Sequence, residues 1–64
     1  MRLAAYLKKH SLKDADFAER VGCDRTTILR IRRGEHKPSA ALMEVIARET
    51  GGLVLPNDYF DVAA

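Results

Sequence analysis

The sequence predicts an all-α protein, a compact bundle of four to five short helices. Three observations carry that expectation. Apolar residues recur at helical spacing almost throughout, as Leu3, Tyr6 and Leu7 do in the first segment. Glycines fall where each later apolar run ends, at Gly22, Gly34 and Gly51-Gly52. The single strand-like stretch, Leu53-Val54-Leu55, is too short to build a sheet and reads as an extended connector packing on the core.

The elements follow in order. Leu3, Tyr6, Leu7 and His10 share one face of a first helix, which Ser11-Leu12-Lys13 breaks. A second helix runs from Asp14 to Val21 with Phe17, Ala18 and Val21 on one face. Asp14 and Asp16 lie near its start, where a carboxylate suits the positive helix end. Asp24 is placed as the N-cap of a third helix, Arg25 to about Arg33, which turns Ile28 and Ile31 inward. Ser39 is placed as the N-cap of a fourth, about Ala40 to Thr50, with Leu42, Val45 and Ile46 inward. Pro56 to Phe60 suits one last helical turn with proline at its first position.

Size and charge narrow the function. A chain of 64 residues has room for one core, which makes residues 1–64 a single domain. A deep substrate cleft does not fit, and no acid, base and nucleophile set is evident, so an enzyme is not expected. Cys23 is the lone cysteine, which excludes an internal disulfide and a multi-cysteine zinc site. His10 and His36 have no partner at metal-ligand spacing, and no cofactor is implied. The start lacks a signal-peptide pattern and no run is long enough to span a membrane; a cytoplasmic protein is expected. Residues 25–37 hold five basic groups against one acidic, +4, whereas residues 38–64 hold one against four, −3. A basic patch concentrated in one segment is the footprint of a polyanion binder.

Two short helices joined by a glycine-containing turn form a helix-turn-helix, here about residues 14–33. Ala18 is small enough for close helix approach, and Gly22 lets the chain reverse. Cys23 is a small hydrophobe able to tuck beneath the turn. With Ile28 and Ile31 as anchors, the opposite face of the third helix carries Arg25, Thr26, Arg30 and Arg33.

The stretch from Asp14 to Gly34, continuing through Lys37-Pro38-Ser39, resembles the phage repressor/Cro-type, or XRE-like, helix-turn-helix family. The pattern Phe17-Ala18-x3-Gly22-x5-Ile28-x2-Ile31-x2-Gly34-x3-Pro38-Ser39 carries the likeness, which covers about residues 2–50. It implies a lambda repressor-like DNA-binding domain acting as a homodimeric transcription regulator in bacteria or phages. The family usually has Thr-Gln where this chain has Lys13-Asp14, and its Gln commonly braces the DNA backbone. Leu55 precedes Pro56 where a capping Ser or Thr is usual.

The resemblance also implies that the third helix enters the major groove of double-stranded DNA, with Arg25, Thr26 and Arg30 on base edges. An Arg fork pairs with guanine O6 and N7, at about 1–3 kcal/mol of discrimination. Thr27, Arg32, Arg33, His36 and Lys37 fall where the sugar-phosphate backbone would pass. Thr27 fits a helix-bracing role equally well. Leu29 suits a thymine methyl or the rim of the core, the second being the simpler reading. Tyr59 and Phe60 either close the core or form a dimer seam, and residues 53–64 as a whole serve packing or dimerisation. Repression is the simplest outcome, and activation through RNA polymerase uses the same contacts. A second class of function is a protein-docking or antitoxin-type module on the same scaffold, with the acidic last third facing a regulatory protein partner.

Overall fold

The computed structural model describes residues 1–59. Four α-helices and a closing 3-10 turn follow one another: α1 Leu3–Lys9, α2 Asp14–Val21, α3 Arg25–Arg32, α4 Ala40–Glu49 and η1 Pro56–Tyr59. The expected all-helical bundle is present, with no strand among the described residues. The core gathers Leu3, Tyr6 and Leu7 from α1, Phe17, Ala18 and Val21 from α2, Ile28 and Ile31 from α3, Ile46 from α4, and Val54. Phe17, Ile28, Ile46 and Val54 are its largest fully buried side chains. Leu12, Cys23, Leu42 and Tyr59 pack around it half-buried.

One kind of turn ends all four helices. A residue with positive φ follows each helix closely, and the next N–H reaches back five residues to a carbonyl: Leu12 to Leu7, Cys23 to Ala18, Glu35 to Arg30 and Gly52 to Ala47, at 2.8–3.0 Å. This bond satisfies a carbonyl that the helix end would leave open. At Gly22, φ 76° and ψ 36° lie in the left-handed region, which costs glycine nothing sterically. Ser11 fills the same role after α1 at φ 52°, the one non-glycine with positive φ among the described residues.

Five expectations need correcting. His10 lies past the end of α1 and is exposed; its ring rests beside Tyr6, centroids 4.4 Å apart. Asp24 takes the extended N-cap backbone, but its side chain makes no capping hydrogen bond; Ser39 does, accepting from the Leu42 N–H at 3.2 Å. Arg33 is the cap of α3 rather than its last residue, and Thr50 stands likewise beyond α4. Val45 is not inward but 37% exposed. The face of α4 that meets the core runs through Leu42, Met43, Ile46, Ala47 and Thr50, and Val45 projects from its far side.

Val54 explains that rotation. The buried Thr50 hydroxyl donates to the Ile46 carbonyl at 2.8 Å and accepts the Val54 N–H at 3.1 Å. Thr50 thereby pins the connector to the end of α4 and drives Val54 into the core, while Leu53 and Leu55 stay 44% exposed. The closing turn is capped in reverse: Asp58, its third residue, accepts the Leu55 N–H at 2.8 Å, the reciprocal half of a capping box whose other half would need a Ser or Thr before Pro56. The same carboxylate takes the Met1 ammonium at 3.0 Å, and the Leu53 carbonyl accepts it at 2.8 Å.

Candidate nucleic-acid interface

The α2–turn–α3 unit sets the direction of every candidate contact. Ile28 and Ile31 are three residues apart on a short helix and almost fully buried, so α3 cannot rotate without emptying the core. Thr26, Arg30 and Arg33 recur at i, i+4 and i+7 and emerge opposite them, all exposed. Arg25, at the first position of α3, is exposed as well. Thr27 and Leu29 lie half-buried on the two flanks. Arg33, His36 and Lys37 continue the exposed basic surface into the loop before α4, and the buried Pro38 anchors that loop.

The basic residues are not equally engaged. Arg32 donates to Asp14 twice, Nε to Oδ1 at 2.9 Å and Nη2 to Oδ2 at 3.2 Å. The family's customary Gln position is thus used here to fasten the first turn of α2 to the last turn of α3. Among the described residues Arg33 meets a distant carboxylate, Glu35 at 3.9 Å, and both side chains are more than half exposed. Such a pair is worth little in water. Sequence reasoning missed the Asp14–Arg32 link because 18 residues separate the partners; no local pattern records it.

Tyr59 is half-buried and packs against the core, as one of its two expected roles required. Burial, with the Asp58 charge second, pushes its phenol up to about 12. Phe60, the other aromatic suggested for a dimer seam, lies outside the described residues. Cys23 is half-buried under the turn, and burial, then Asp24, raises its thiol, the opposite of an activated nucleophile. No cluster of His, Cys, Asp and Glu suited to a metal occurs among the described residues. No described helix is long and apolar enough to cross a membrane.

The helix-turn-helix family model matches residues 3–52, which spans α1 through α4. The chain belongs to the XRE-type, Cro/repressor-like helix-turn-helix family. This is a family of DNA-binding regulatory domains, usually without enzymatic activity. No curated protein and no solved structure matches the chain significantly. In this helix-turn-helix protein the buried pair Ile28 and Ile31 lies within the matched span and fixes the geometry that exposes Thr26, Arg30 and Arg33.

Proposed function

We propose that the chain is a sequence-specific regulator of transcription that binds double-stranded DNA as a homodimer, with α3 in the major groove. The observation that carries this reading is the exposed face of α3, Thr26, Arg30 and Arg33, held outward by buried Ile28 and Ile31. Arg25, Thr26 and Arg30 read base edges. Thr27, Arg33, His36 and Lys37 hold phosphates, and so does Arg32 through the guanidinium N–H groups that Asp14 does not take. The single domain blocks polymerase access to a two-fold operator in the simplest case, and works in the cytoplasm, at the nucleoid.

The second copy is expected near the end of the chain, through Tyr59 and Phe60. Exposed Leu53 and Leu55, just before the closing turn, supply apolar surface there. Selection from a random duplex library at physiological salt tests the reading. Two inverted half-sites with centres about 10 base pairs apart are expected for a two-fold dimer. Binding without enrichment that vanishes as salt rises would leave only backbone electrostatics and favour the protein-docking alternative.

A further inference from the structure

A second basic stretch takes no part in the DNA contacts proposed so far. Residues 1–13 hold four basic side chains, Arg2, Lys8, Lys9 and Lys13, and no acidic one. The fold brings two of them to one place. Lys8 from α1 and Lys13 before α2 line an open groove of about 520 Å³, with Leu12, Asp14 and Arg32 beside them. Both lysines are exposed, and neither makes an ion pair among the described residues. Asp14 is the groove's one carboxylate, and both its oxygens accept from Arg32. The two lysine charges are thus left uncompensated.

Stability does not account for both. Lys8 lies in the last turn of α1, where a cation suits the negative helix end. Lys13 stands just before α2, where a cation meets the positive helix end, and its side chain makes no capping hydrogen bond. What the groove adjoins is more telling. Arg32 forms part of its wall and also borders the neighbouring hollow lined by Arg33 and His36. The lysines therefore continue, past the end of α3, the side chains proposed to hold phosphates.

We propose that Lys8 and Lys13 bind the phosphate backbone of the same duplex that α3 reads, where that backbone runs past the end of α1. The inference rests on the proposed DNA binding and extends it to a helix outside the helix-turn-helix unit. Each lysine is a point charge that neutralises a phosphate and reads no base.

The test is binding of the full chain to its selected duplex and to a random duplex over a series of salt concentrations. Lys8→Gln and Lys13→Gln should each weaken both duplexes alike and lower the salt slope by about one. Lys9→Gln is the control: it makes the same charge change on α1 but lies off the groove, and the slope should hold. Lys13→Ser removes the charge and supplies a capping oxygen, so its melting temperature should hold or rise while duplex binding still weakens. That variant separates lost contact from lost folding. Equal effects of all three glutamine variants would show that net charge alone counts and overturn the strip. Unchanged duplex binding in the Lys8 and Lys13 variants would overturn it too, and leave the groove to an acidic protein segment. Failure of the DNA reading itself shows in the unaltered chain, which would then bind neither duplex.

Discussion

Arg32 holds Asp14 through a two-pronged ion pair, 2.9 and 3.2 Å, that joins the first turn of α2 to the last turn of α3. Both side chains keep some solvent contact, 38% for Arg32 and 18% for Asp14, so the pair sits between a surface bridge and a buried one. A double-mutant cycle with Asp14→Ala and Arg32→Ala should give a coupling of about 0.5–1 kcal/mol in chemical denaturation. A coupling indistinguishable from zero would show that the pair contributes nothing to stability.

Removing one arginine should change what is bound, and removing one lysine only how tightly. Arg30→Ala is expected to relax preference at one base position, at about 1–3 kcal/mol, because it is exposed on the face of α3 proposed to enter the groove. Lys37→Ala should weaken all duplexes about equally and lower the salt slope by about one. Competition binding across single-base variants of the selected site checks both. Uniform weakening by both variants would remove Arg30 from the base readers.

Ser11 bears a left-handed backbone at φ 52° in a position that glycine fills after α2, α3 and α4. A side chain there costs about 1–2 kcal/mol, and glycine gives back about 0.5–1 kcal/mol in unfolded-state freedom. Ser11→Gly should therefore stabilise by about 0.5–1 kcal/mol, raising the melting temperature by a few degrees. A lower melting temperature would mean that the serine is not strained.

Asp58 titrates below its ordinary range because it accepts the Leu55 N–H and, next in weight, bonds the Met1 ammonium. A carboxyl whose folded pKa is depressed stabilises the fold when ionised. That contribution is present above the usual carboxylate range and fades as pH falls through the folded value. Thermal melts of the protein and of Asp58→Asn should differ at pH 7 and converge below about pH 3. A gap that stays constant on acidification would remove the carboxylate from the account of the closing turn.

Much of this molecule was legible in its sequence, for reasons of range. Gly22, Gly34 and the Ile28/Ile31 pair act within one or two turns, so spacing alone placed the ends and the facing of α3. α4 resisted because Leu42, Met43, Val45, Ile46 and Ala47 are apolar nearly all round it. Its orientation comes from Thr50 and Val54, whose hydrogen bond spacing cannot announce. Asp24 stands at the right position without using its side chain, and Asp58 caps a turn from inside it. The exposed surface of α3 could be anticipated; the groove beside its end could not, because Lys8, Lys13 and Arg32 meet only in the folded chain.

Val54 lies two residues beyond the family's matched span and is completely buried. The portable piece of this protein is therefore larger than its recognisable piece. A graft cut at residue 52 would carry the turn and every proposed DNA-contacting side chain, yet leave an open socket beside Ile46 where the connector belongs. The recognition helix would be delivered intact on a base missing its keystone.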